Sequence, residues 1–326
     1  MTAGDVQVRI DDRARLLGAL LAATRYPEMA QARRKHGVHA HARTTRKRVA
    51  PLTAHPAVLA VDVLLAQEMP VEALFALMFA LDPITLRPAM MFADLPPALG
   101  DGLADFALQA GLADWWCEEA ESWSQSAAEA KRALTGAALG PFLDGIFGPT
   151  TARLTFMPNI GYPAEEEIAL AAEGELIAIV PPRLAWGDSP PWPFDEDPAH
   201  VLRAAVVAYS RLRLADALRA RPELFAQAAA SDLPVSDKFR ALYPAGPEQF
   251  AQVFSGALVA IYLEEHVSPQ EASAYLLMEK RLRGLEVLPA AVSVLRDYRG
   301  GRKAGSAAAL KGLLLTFADR LRAALG

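Results

Sequence analysis

Beyond the five residues Val6 to Ile10, one stretch of this chain, from Ala152 to Val180, carries strand patterns, and the rest reads mainly as helices. That contrast restricts the fold to a helical body around one small sheet. Within the stretch, Ala152 to Met157, Ile168 to Ala172 and Glu175 to Val180 read as strands, with Glu173-Gly174 as the tight turn between the last two. Val6 to Ile10 alternates as a further short strand. The expected class is α+β, predominantly helical, with a small antiparallel sheet. Residues 1–149 form an N-terminal helical part and 150–326 a second part, packed together as one unit.

Capping residues and prolines delimit the helices. Asp11 or Asp12 offers an N-cap for a helix reaching about Thr24. His55-Pro56 opens another, with Val58, Val61 and Leu65 on one face, and Met69-Pro70 breaks it before a helix from Glu72 to Leu81. Helices resume from Leu103 to Leu139, and a Gly/Pro-punctuated segment runs to Pro149. A proline-rich loop from Pro181 to Pro198, containing Trp186 and Trp192, stops at Asp197-Pro198, where a helix starts with Val201, Ala205, Ala208, Leu212, Ala215 and Leu218 on an apolar stripe. Phe250 to Leu263 is apolar nearly all round and reads as a buried central helix. Ser268-Pro269-Gln270-Glu271 is a capping box, and Gly284 ends the helix it begins.

Composition narrows the function. With 326 residues and 52% hydrophobic residues the chain can bury a full core, and its net charge of -5 draws it to neither nucleic acid nor an anionic membrane. The longest uncharged run, Gln249 to Leu263, has 15 residues, fewer than the roughly 20 of a membrane-spanning helix. Acidic residues among the first fifteen argue against a secretory signal, so a cytoplasmic location is expected. Cys117 is the single cysteine, which excludes an internal disulfide; its acidic neighbours Glu118, Glu119 and Glu121 make an idle thiol the expectation.

Arg33, Arg34, Lys35, Arg43, Arg46, Lys47 and Arg48 form a basic patch with no acidic residue between Glu28 and Asp62. His36, His39 and His41 lie within it; they could chelate a metal, but the positive surroundings favour a solvated face. The patch lacks interleaved aromatic residues, so nucleic acid is an unlikely partner although phosphate binding is conceivable chemistry. Asp195, Glu196 and Asp197 read as a capping cluster for the helix that follows, and Asn159-Ile160-Gly161-Tyr162-Pro163 as a turn. Trp116 and Trp123, seven apart, share a helix face beside Trp115 and are expected in the core.

A small sheet, a loop, a helix that begins near His200 and a buried helix some fifty residues later resemble the layout of the gluzincins. The helix from Arg13, the His55-Pro56 helix with its successor, and the strand ending at Pro158-Asn159 extend the similarity to the bacterial gluzincin-like (HExxH) metallopeptidase family of unknown function. In such proteins two histidines one turn apart hold zinc while the glutamate between them activates water. Here the motif position reads His200-Val201-Leu202-Arg203-Ala204: Val201 stands for the base and Ala204 for the second ligand. The later helix carries Val253-Phe254-Ser255-Gly256-Ala257, with no carboxylate. The resemblance therefore implies a degenerate zincin-like core, no metal, no cofactor, and a non-catalytic protein that binds a peptide or protein. Its remnant cleft would be lined by Glu175, Ile177, Ile179, His200, Arg203 and Ser255. The alternatives are a hydrolase using His200 with Asp195 or Asp197, and a regulatory protein using the basic face.

Overall fold

The computed structural model describes residues 6–33, 35–88, 99–183, 189–224, 226, 232–301 and 304–325. Part of the basic patch (Arg34), part of the proline-rich loop (Trp186) and the prolines Pro96 and Pro97 lie outside them.

Asp11 caps α1 (Asp12–Ala23): its side chain accepts a hydrogen bond from the Arg13 backbone N at 3.0 Å. The preceding residues Gln7–Val8 form β1. Strands β2 (Arg153–Pro158), β3 (Ile168–Ala172) and β4 (Glu175–Val180) complete a four-stranded sheet in the order β1-β2-β4-β3. Glu173 and Gly174 both take positive φ, 53° and 74°, and close the β3–β4 hairpin with Ala172 opposite Glu175. The three expected strands and the turn are present.

The sheet is mixed, not antiparallel throughout. β1 runs parallel to β2, with Gln7 opposite Thr155 and Val8 opposite Phe156. A parallel neighbour needs a long crossover, and the whole helical stretch between residues 8 and 153 supplies it. Between these strands stand α2 (Tyr26–Arg33), α3 (Ala40–Val49), α4 (Pro56–Ala66), α5 (Val71–Met78), α6 (Gly100–Gln109), α7 (Leu112–Glu118) and α8 (Ala120–Leu134). α4 opens at His55-Pro56 as expected, and the His55 side chain caps it by accepting from Ala57 N at 3.1 Å. Leu16, Leu17, Leu20 and Leu21 of α1 pack with Val58, Val61, Phe75, Ile168 and Ile177 in one core. Gly18 permits a close approach there, because a Cβ at this position would stand 2.9 Å from the Tyr162 carbonyl oxygen.

The chain forms two units, and the division does not fall at residue 149. One comprises Gln7–Thr135 with Thr155–Val201; the other comprises Gly136–Leu154 and the chain from Leu202 onward. Parallel pairing with β1 assigns the sheet to the N-terminal helices, which is why a cut along the sequence fails to separate the units.

The second unit contains α9 (Leu139–Phe147), in the segment expected to be irregular, and most of α10 (Pro198–Arg219). It continues with α11 (Asp237–Leu242), α12 (Gly246–His266), α13 (Pro269–Arg283), α14 (Leu288–Arg299) and α15 (Ala307–Leu325). α12 is the buried central helix: Val253 to Leu263 are all buried, and Phe250 and Phe254 meet Phe317 of α15 at ring-centroid distances of 5.2 and 5.4 Å. Ser268 caps α13 by accepting from Glu271 N at 3.1 Å, and Gly284 closes it at φ 71°. α10 differs from its expected single stripe, since every residue from Val201 to Ser210 except half-buried Arg203 is buried. Among the described residues no single helix is long and apolar enough to cross a membrane.

Arg13 ties the first unit together. Only 3% exposed, it bonds Asp11 Oδ2 at 2.9 Å, Glu173 Oε1 at 2.8 Å and the carbonyl oxygen of Phe79 at 3.0 Å, and its guanidinium lies 4.6 Å from the Phe79 ring centroid. Hydrogen bonding to Asp11 raises its pKa further above the ordinary range, so the charge persists at every working pH. A buried charge is tolerated only when so partnered. Arg13→Met leaves the Asp11 carboxylate with only Arg9, at 3.4 Å, as a cationic partner and is expected to lower stability by roughly 3 kcal/mol, the lower end for breaking a buried pair. Urea unfolding measures this directly, and an unchanged midpoint would deny Arg13 its role.

Candidate functional site

The motif position begins at the start of α10. Asp197 caps this helix, its Oδ1 accepting from His200 N at 3.2 Å, while its other oxygen pairs with Arg183 at 3.2 Å. Asp195 instead holds Arg132 at 2.6 Å. The capping expectation thus holds for Asp197. The His200 ring turns toward the preceding loop, with Nε2 3.1 Å from the Pro181 carbonyl oxygen. Val201 and Ala204 are packing residues, 0% and 1% exposed. Among the described residues, no group of three or more His, Cys, Asp or Glu side chains is arranged to hold a metal ion.

The expected cleft residues occupy different settings. Glu175, Ile177, Ile179 and His200 belong to the first unit, Arg203 and Ser255 to the second. Glu175 is buried and committed, its Oε2 lying 2.8 Å from Arg9 and accepting from Thr155 Oγ1 at 3.0 Å. Ile177 and Ile179 are core residues on β4, which has a strand on each side and offers no edge to a peptide. In the second unit Arg203 is half-buried; Ser255 lies inside α12 with its hydroxyl buried and unpartnered.

The basic segment is structured differently from a solvated face. α2 and α3 give its two ends helical form, and its histidines point inward. His36 is buried with Nε2 3.8 Å from Glu165, which also accepts the Tyr26 hydroxyl at 2.5 Å. His39 caps α3, its Nδ1 accepting from Ala42 N at 3.2 Å. Burial, helped by His41 and Arg43, holds the His39 imidazole down to about 3, and the cap itself requires an unprotonated Nδ1. His41 approaches Glu119 at 3.2 Å and meets Trp123 edge-on. The cations remain outside: Lys35 and Lys47 are exposed, Arg43 is half-buried, Arg33 pairs with Glu166 at 2.5 Å, Arg46 pairs with Glu28, and Arg48 lies over Trp115. Acids distant in sequence thus neutralise much of a patch that looks uniformly positive.

Trp116 of α7 and Trp123 of α8 stand on two helices and not on one helix face, and what they share is a cation. The Arg15 guanidinium lies between them, 4.5 and 4.7 Å from the ring centroids, with Nη1 bonded to Asp12 at 2.9 Å. Burial lowers the Arg15 pKa. Cys117, beside this sandwich, is exposed.

One open cavity of about 330 Å³ stands out in the first unit, at the C-terminal end of α1. Four charged side chains line it: Arg25 with Asp62, and Arg46 with Glu28. Both pairs are solvent-exposed and contribute at most about 1 kcal/mol each. Reading the sequence alone missed this grouping. Arg46 was visible as part of the basic patch, but Arg25, Glu28 and Asp62 carry no motif, and only the packing of α1 to α4 brings them together.

Comparison with known proteins finds no matching family model, no matching curated protein and no matching solved structure.

His39 makes stability depend on pH. Its folded pKa lies below the unfolded value of 6.5, so the unfolded chain takes up the proton first; above pH 6.5 the group has no effect, and as pH falls toward about 3 it destabilises the fold. His39→Asn keeps a capping acceptor and removes the titration. The stability of the variant relative to the parent is expected to rise by about 1.4 kcal/mol per pH unit below that threshold. Denaturant curves at several pH values check this, and parallel pH profiles would refute it.

Proposed function

We propose that this chain is a non-catalytic binding protein, related in layout to the gluzincin-type zinc metallopeptidases, and that its ligand is a peptide or a protein. The observation that carries this reading is the state of positions 201 and 204. Where an HExxH helix has its base and second ligand, Val201 and Ala204 are side chains of the packed interior, 0% and 1% exposed. A catalytic zinc takes three protein ligands and keeps a fourth position open to water. The His200 ring nitrogen facing the Pro181 carbonyl supports a structural use of the remaining histidine, joining the proline-rich loop to the start of α10.

The topology also limits how a peptide is held. Addition of an extended chain to β4 is closed, because β2 and β3 already occupy both its sides. A ligand therefore engages a part of the molecule other than the edge of β4. The full chain, purified without a metal-binding tag, is expected to bind members of a random peptide library, to leave them uncut, and to keep its melting temperature when a strong chelator is added. Stoichiometric zinc by elemental analysis, or peptide cleavage that the chelator abolishes, would overturn the proposal.

A further inference from the structure

We infer that the open cavity at the end of α1 binds a free amino acid or a very short peptide, whose ammonium and carboxylate groups replace the cavity's two internal ion pairs. The choice of ligand class rests on the peptide-binding reading above, while the site rests on its own geometry. Arg25 and Arg46 face Asp62 and Glu28, so the formal charges of the four side chains cancel. A ligand with a single charge would add that charge to a site whose own charges cancel, whereas a zwitterion can pair with one acid and one arginine at once and leave the balance at zero.

Asp62 is positioned in advance for an ammonium. Its Oδ1 accepts from the Arg25 backbone N at 3.0 Å as well as from Arg25 Nε at 3.3 Å. The carboxylate therefore stays in place when the Arg25 side chain swings away. Ala23, the last residue of α1, also lines the cavity, and the C-terminal end of a helix dipole favours a cation. Arg46 offers a forked donor for a carboxylate, and its present partner Glu28 is 59% exposed, so water readily takes over that acid when Arg46 turns to a ligand. Ala22, Ala23 and Ala50 also line the cavity, where larger side chains would take up space. At about 330 Å³ the space lies at the small end of ligand sites, suited to one or two residues and too small for a folded segment.

The test is titration calorimetry on the full chain with L-alanyl-L-alanine, its N-acetyl and C-amide derivatives, the doubly blocked form and inorganic phosphate. The inference expects saturable binding of the free dipeptide, at least ten-fold weaker binding when either end is blocked, and no binding of phosphate. Asp62→Asn is expected to erase the preference for a free amino terminus, and Arg46→Gln the preference for a free carboxylate; both positions are at the surface, and the blocked ligands report on the unmodified protein in any case. Equal affinity for the free and doubly blocked dipeptides, or no saturation at millimolar concentrations, would overturn it. Capture of a longer peptide that ignores both substitutions would also remove the site while leaving the peptide-binding reading intact. Binding that depends on Asp62 and Arg46 and is followed by release of alanine would support the site and overturn the non-catalytic reading.

Discussion

A buried cation organises the first unit. Arg13 cannot remain charged and out of water without several oxygen atoms around it, and the chain provides them from three separate places: the cap of α1, the end of α5 and the β3–β4 turn. Each of these is a chain reversal or terminus. Fixing them to one guanidinium sets how α1 lies against the sheet. Arg9 repeats the device nearby, reaching Glu175 from the N-terminal side of α1, so that β1 enters beside β2 with its flanking charges already matched.

Charge neutralisation across long sequence distances also explains the basic segment. In isolation, residues 33 to 48 form a run of positive charge. In the folded chain Glu28, Glu118, Glu165 and Glu166 come up against it, and the histidines cap, pack or pair within the unit. Arg15 between two indoles belongs to the same design, because a planar cation can be covered by aromatic faces when few oxygen atoms are at hand. What survives on the surface is a set of weak, exchangeable pairs, and two of them line the open cavity.

The start of α10 shows how the same residue types serve different ends. A histidine near a helix N-terminus, with acids just before it, has the makings of a site. Here Asp197 satisfies an orphan backbone donor and Asp195 and Asp197 hold arginines, while Val201, Leu202 and Ala204 of the next turn are buried. Capping accounts for Asp197, whose two carboxylate oxygens have the His200 backbone N and Arg183 as partners.

Local hydrogen bonding and period were legible from the residues alone: the caps at Asp11, His55 and Ser268, the Glu173-Gly174 turn, the strands of residues 153–180 and the all-round apolar helix α12. Each depends on neighbours within a few positions, which is the range over which a sequence constrains its own backbone. The helices α2, α3 and α9 were not legible, since their polar or glycine-interrupted segments gain helical form from what they pack against. Tertiary structure alone decided that β1 pairs in parallel with β2, that the sheet joins the N-terminal helices, that β4 has no free edge and that the histidines face inward. Those outcomes are set by which distant oxygen and nitrogen atoms must satisfy one another once water is excluded, and separation along the chain carries no record of that choice.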